Sequence, residues 1–225
     1  MRSTAACGRS TRSTAAESGS SISAVPATTK KAEQSEATRG KLISVARDLF
    51  AGEGYAGVSI EEIVQAAHVT RGALYHHYES KRDVFQAVHE DVQRELTARI
   101  RAAAAAEERV EMHLEAGCMA FLDACLDEDV QRIVLLDAPS VLGWQRWREV
   151  DERISLGLLR DALETGMRAG HFERQPVDPL AQVLLGALNE AGLFIARADD
   201  PAAARAEAGR TVSRLLAGLR PVGSR

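Results

Sequence analysis

Eight residues between positions 59 and 81 carry groups suited to holding an anionic polymer: Ser59, Thr70, Arg71, Gly72, Tyr75, His76, Tyr78 and Lys81. An arginine guanidinium can grip a guanine edge with two parallel hydrogen bonds, and threonine offers thymine a hydroxyl or a methyl contact. Tyrosine, histidine, lysine and the amides at a helix start suit phosphate oxygens. Glycine at 72 lets the backbone come close to whatever lies opposite. The chemistry is recognition of double-stranded DNA rather than bond making. A small helical hairpin packed inside a larger α-domain is the other reading of the same pattern.

Two short helices and a turn must position this set. Ser59 with Glu62 three residues later makes a capping box, and Ile60, Ile63 and Val64 give the first helix one apolar face. His68-Val69-Thr70 carries the turn, with Thr70 as a second N-cap. The next helix, about 71 to 77, has only Leu74 to bury and is expected to present Arg71, Tyr75, His76 and Tyr78. Ser80 and Asp83 open a further helix with Lys81 in its first turn.

The stretch VTRGALYHHYESKRDVF, Val69 to Phe85, resembles the helix-turn-helix signature of TetR/AcrR-type transcriptional regulators. KLISVARDLFAGEGYAGVSIEEIVQAAHV, Lys41 to Val69, is similar to the first two helices of that family. The resemblance implies a DNA reader followed by a helical domain that encloses a small-molecule pocket and dimerises through its last two helices. It implies a ligand-responsive, homodimeric, cytoplasmic repressor on a pseudo-palindromic operator. An effector-independent architectural or interaction protein is the competing function.

The whole chain reads as all-α, because no segment alternates with period two for long enough to make a strand. Residues 1–36 read as a disordered basic tail, 37–82 as the helix-turn-helix domain and 83–225 as the effector-binding and dimerisation domain. Through Lys31 the tail has five basic residues against Glu17, net +4, so the remainder carries −8 of the overall −4. Such a tail adds sequence-independent attraction to DNA or is a solvated extension. Helix one spans about 36 to 51, with Leu42, Val45, Ala46, Leu49 and Phe50 in a stripe and Gly52 and Gly54 as its stop. Arg39 and Lys41 at its start could touch phosphate. A long helix from Ser80 to about 102 links the domains, and Val110, Leu114, Cys118, Phe121, Leu122 and Cys125 line the helix after it. Pro139 is expected to end a short helix from Asp129.

Further along, Ile154, Leu158, Leu159, Leu163 and Met167 share a helix face that ends at Gly170. Asp178-Pro179 and Asp200-Pro201 each read as an N-cap followed by proline at the first helical position. The first helix is expected to bury Leu180, Val183, Leu184, Ala187, Leu188, Ala191, Phe194 and Ile195. The second would bury Ala208, Val212, Leu215, Leu216 and Leu219. Leu180, Leu184, Leu188, Ala191, Val212 and Leu216 are the expected dimer contacts, because two such helices packed on their twofold mates form a four-helix interface. Met119, Phe121, Trp144, Trp147 and Asn189 are the expected pocket residues. A tryptophan brings apolar area and one N–H. Asn189 is an amide in an apolar stripe, which needs a partner if buried.

Catalysis and metal binding find no support in the sequence. His76 and His77 are adjacent, diverge by about 100° on a helix and cannot chelate one ion. The other histidines lack ligand spacing, and no nucleophile elbow, phosphate loop or dinucleotide fingerprint occurs. No cofactor and no metal are expected. Cys7, Cys118 and Cys125 form no paired framework, which fits a reducing compartment and small core-filling roles. No run approaches ~18 apolar residues, so no membrane partner is expected. The N-terminus lacks the apolar stretch of a secretory signal.

Overall fold

The computed structural model describes residues 27–221. Helix α1 (Ala27–Gly57) is followed by α2 (Ile60–Ala66), α3 (Arg71–His77) and α4 (Lys81–Ala106). The helix expected from 36 begins nine residues earlier, so the part of the tail from 27 to 36 is helical; residues 1–26 lie outside the described residues. Lys, Ala, Glu and Gln at 30–37 are strong helix formers without a breaker, and mostly exposed, so they carry no apolar stripe to announce them. Gly52 does not stop the helix. Gly54 does, at φ 73 and ψ 168, a region close to glycine-only.

Leu42, Ala46, Phe50, Ile63, Leu74 and Phe85 are fully buried where α1 to α4 meet. Phe50, Tyr55 and Phe85 form an aromatic triangle, with Phe85 edge-on to both at 5.2 Å. His68, at φ 50, turns the chain between α2 and α3. Ser59 and Ser80 cap α2 and α4 as expected, and α4 runs through the alanine stretch to Ala106, four residues beyond the expected end.

A short 3-10 turn (Val110–Met112) leads into α5 (His113–Ala124). Leu114, Cys118, Leu122 and Cys125 are buried, but Val110 is exposed because the turn comes before the α-helical register begins. A π-helical segment (Val130–Asp137) then passes directly into α6 (Ala138–Val141). Pro139 therefore does not end the helix. It lies in the first turn of α6, where the helical register changes from π to α. Next come α7 (Trp144–Asp151), a second π-helical segment (Glu152–Leu156) and α8 (Gly157–Arg168), with Gly170 at φ 79. Helix α9 (Val177–Ala196) starts one residue before Asp178, with no side-chain cap; that carboxylate pairs instead with Arg160 at 2.8 Å. Asp200 caps α10 (Pro201–Ala217) as expected. Among the described residues there is no strand.

The apolar interior divides into two clusters. One joins α1–α4 to Ala124, Val130, Ile133, Val134, Ala138, Leu142 and Trp147. The other joins α5, α8, α9 and α10 through residues such as Leu122, Leu163, Leu188 and Val212. Polar contacts tie the π-helical segment to α1. Arg47 Nε donates to Asp129 at 2.9 Å, and the Tyr55 amide donates to Asp137 at 2.7 Å. The Arg132 side chain lies against Gly54, within 3 Å of where a Cβ would stand.

Helix α9 is long and apolar enough by length and composition alone to cross a membrane, although Asp178, Gln182, Asn189 and Glu190 interrupt its apolar run. Only a third of it is buried inside the protomer. Its apolar residues lie on more than one face, which calls for a second packing surface.

Gly52 and Gly54 of α1 should respond oppositely to alanine. At Gly54 the positive φ and the Arg132 contact should cost about 1–3 kcal/mol. At Gly52, helical and open on its outer side, alanine should add about 0.5–1 kcal/mol. Urea unfolding of both variants measures this, and equal destabilisation would contradict the assignment of the break to Gly54.

Candidate DNA-binding surface and apolar cavity

The capping residues at the start of α2 form a closed pair. The Ser59 amide donates to the Glu62 carboxylate at 2.7 Å and the Glu62 amide donates to Ser59 Oγ at 3.2 Å. The Ser59 hydroxyl also donates to the Glu62 carboxylate at 2.7 Å, and this bond first, with that of the Ser59 amide, holds the carboxyl below its ordinary range. Thr70 Oγ1 accepts from the Ala73 amide at 3.1 Å, which leaves its own hydroxyl hydrogen available on the open side of α3. Arg71 is exposed, pairs with Glu61 and lies 5.4 Å from the Tyr75 ring centroid. Tyr75 and His76 are exposed beside it, and a Cβ at Gly72 would meet only Thr70 Oγ1 at 3.9 Å. Thr70, Arg71, Gly72, Tyr75 and His76 thus share one open surface, with Ser59 at the neighbouring helix start.

Two of the eight residues lie elsewhere. Tyr78 is 7% exposed and packs in the first core, since it follows the last turn of α3 in extended conformation. Burial raises the pKa of its phenol, and the Arg39 guanidinium beside it opposes the rise. Lys81 turns inward. Its ammonium donates to the Tyr55 and Val58 carbonyls, both at 2.7 Å, and stands 4.1 Å from the Tyr55 ring centroid. It closes the backbone between the end of α1 and α2 rather than facing outward, because the break at Gly54 leaves those carbonyls without helical partners. Arg39 pairs with Glu36 on an exposed stretch of α1, about three turns in from its start.

A cavity of about 360 Å³ lies between α4, α5, the first π-helical segment, α7, α8 and α9. Of the expected pocket residues, Phe121, Trp147 and Asn189 line it. Trp144 does not: it is 63% exposed and packs tilted against Trp147, with ring centroids 5.0 Å apart and planes at 42°. Met119 does not either, since its side chain turns toward α10, with Sδ 3.5 Å from where a Gly209 Cβ would stand. Trp144 and Trp147 are three residues apart, and in this setting only the second faces inward.

The sequence reading missed the α4 wall, including Gln93, Ile100 and Arg101. A signal was available. His89, Gln93 and Thr97 recur at i, i+4 and i+8, and all three are buried on α4. The two nitrogens of His89 have no hydrogen-bond partner, and burial pushes its pKa down to about 4. Cys118 also lines the cavity, with its thiol pushed up to about 12 by burial, so it is no nucleophile at neutral pH.

The expected dimer residues are also displaced. Leu184, Leu188, Val212 and Leu216 are at most 7% exposed in the single chain, and Leu180 and Ala191 pack against the same core. The apolar residues left outside are Val183 at 71%, Phe194 at 53% and Leu215 at 55%, all three expected to be buried. On a helix apolar around its circumference, sequence spacing does not say which stripe faces the protomer's own core.

Comparisons with known proteins agree with this arrangement. Residues 42–88 match the family described as bacterial regulatory proteins, tetR family, and residues 112–219 match the tetracyclin repressor-like C-terminal domain. The HTH-type transcriptional regulator CymR of Pseudomonas putida is 33% identical over 139 residues, 57% of this chain and 68% of CymR. A TetR-family regulator of known structure from Pectobacterium atrosepticum is 32% identical, with a TM-score of 0.77 over 86% of this chain and 98% of that one. RolR, solved in complex with resorcinol, shares the fold at 24% identity and a TM-score of 0.62, covering 86% and 96%. CymR and the Pectobacterium protein are regulators of transcription and not enzymes.

Two stability measurements follow from these placements. Lys81→Met should lose charge-assisted bonds worth about 1.5–3 kcal/mol and lower the melting temperature by several degrees. Arg71→Ala, on the open surface, should leave the melting temperature unchanged. The depressed His89 pKa sets a pH dependence. The unfolded chain takes this proton near 6.5 and the folded one only near 4, so stability is lost as pH falls through that window. The loss reaches at most about 3 kcal/mol. His89→Leu should flatten that part of the stability profile, and an unchanged slope would refute it.

Proposed function

The chain belongs to the TetR family of bacterial transcriptional regulators, and from that premise we propose that it is a homodimeric repressor released from its operator by a small molecule in the cavity. One observation carries the reading. The cavity lies on the seam between the core that supports α3 and the core of the C-terminal helices: Val134 and Trp147 belong to the first, Leu135 and Leu188 to the second. The π-helical segment that supplies Val134 and Leu135 also holds Asp129, Arg132 and Asp137 against α1. A molecule that favours another position of this segment therefore acts on the DNA reader through contacts already in place. That RolR, a protein of the same fold, holds resorcinol is in keeping with a receptor role.

Operator binding falls to the surface of Thr70, Arg71, Gly72, Tyr75 and His76. In a dimer two such surfaces, about 34–36 Å apart, address successive major grooves of a pseudo-palindrome. The partner surface is the outer side of α9 and α10, where Val183, Phe194 and Leu215 lie uncovered. The protein acts where the chromosome is, in the cytoplasm. A mainly apolar cavity favours this reading over an architectural protein without an effector.

Footprinting on the DNA upstream of its own gene, with and without a metabolite panel, tests the proposal. Arg71→Ala should cost at least about fivefold in preference at one base pair. Val183→Glu combined with Phe194→Glu should give helical monomers by light scattering that no longer protect DNA, whereas Leu188→Glu should lose helicity as well. A double variant that stays dimeric would move the interface elsewhere, and a footprint indifferent to every bound molecule would remove the effector.

A further inference from the structure

The chemistry of the cavity wall goes beyond a generic receptor. Trp147 is 94% covered, and its Nε1 has no hydrogen-bond partner. An indole N–H only donates, so whatever satisfies it is an acceptor. Gln93, 2% exposed, joins Trp147 in the wall. Gly117 of α5 faces Ile100 and Ala104, so α5 runs back along α4 and places Phe121 toward the Gln93 end. Arg101 and Ala105 are exposed, which sets the mouth at the other end. Gln93 to Arg101 spans about 12 Å of helix.

The rest of the wall is mostly apolar, with Ile100, Leu114, Phe121, Val134, Leu135 and Leu159, and is interrupted by the polar side chains of His113, Ser155 and Asn189. The one formally charged side chain in the wall is Arg101, at the mouth, and the wall contains no carboxylate. A cation inside would lose its hydration with no counter-charge, and an anion at the deep end would lie well away from Arg101. The volume is near the lower end for ligand sites, which suits a single ring with short substituents rather than a long acyl chain. The raised thiol pKa of Cys118 keeps the binding non-covalent.

We propose that the cavity takes an uncharged, one-ring, mostly apolar molecule whose single acceptor, a carbonyl or an equivalent oxygen, meets Trp147 Nε1 and the Gln93 amide. The proposal rests on the cavity being the effector site described above.

Four probes of nearly equal size separate the alternatives by titration calorimetry on the full chain: acetophenone, ethylbenzene, benzylamine and benzoate. Acetophenone should bind about three- to tenfold more tightly than ethylbenzene, the worth of one neutral hydrogen bond. Benzylamine, cationic at neutral pH, and benzoate should bind more weakly than both. Trp147→Phe should bring acetophenone down to the level of ethylbenzene and leave ethylbenzene unchanged. Gln93→Leu should diminish the same preference and serves if Trp147→Phe does not fold. Equal affinity for acetophenone and ethylbenzene in the unaltered protein overturns the proposal, as does a preference for either charged probe or the failure of all four to bind. If acetophenone binds with the Trp147-dependent preference but leaves the footprint intact, the ligand class stands and the effector role falls.

Discussion

The continuity of α4 is the constraint on which the rest depends. Its first turns carry Val84, Phe85 and Val88 into the core beneath α3, and its later turns carry Gln93, Ile100 and Ala104 into the cavity wall. At 26 residues it extends about 39 Å, and each turn is bonded to the next, so its two ends cannot move independently without breaking the ladder. At its N-terminus Lys81 is held by two carbonyls and the Tyr55 ring, which fastens the helix to the break at Gly54. Cavity and reading surface are therefore borne on one rigid element.

The first π-helical segment supplies the second connection. It meets α9 closely enough that a Cβ at Gly192 would lie 3.2 Å from Leu135 Cδ1, and it meets α1 through Asp129, Arg132 and Asp137. The wide π turn places apolar Val134 and Leu135 inward while polar Arg132 and Asp137 reach α1. Packed interiors deform little, so a change in these contacts would pass between discrete arrangements rather than as a graded drift.

The outer side of the C-terminal helices follows from a different balance. Helix α9 buries Leu184, Leu185, Leu188 and Ile195 within the protomer and still leaves Val183 and Phe194 uncovered. Scattered exposed apolar residues are ordinary, but these lie along one helix with Leu215 exposed on α10. Arg205, bonded to Asp123 at 2.6 Å, fixes α10 to α5. The exposed apolar side is thus presented on a braced pair of helices.

Local patterns settled much of this protein from the sequence alone. Caps such as Ser59, Thr70, Ser80 and Asp200 act within three residues, so their type and spacing are enough to place helix starts. The signature from Val69 to Phe85 marked the DNA-reading hairpin, and the absence of period-two alternation marked the all-α class. Direction was what spacing left undecided. Tyr78 and Lys81 have the chemistry for phosphate, yet one is buried and the other is bonded to carbonyls freed by a break 27 residues earlier. Trp144 and Trp147 are the same residue type one turn apart, and the packing of α7 leaves one outside and brings the other to the cavity. Leu184 and Val183 are neighbours of like hydrophobicity, and the core has room for only one of them. Composition and periodicity say that a side chain prefers to leave water; only the tertiary structure decides against which surface, because that surface is built from residues distant in the chain.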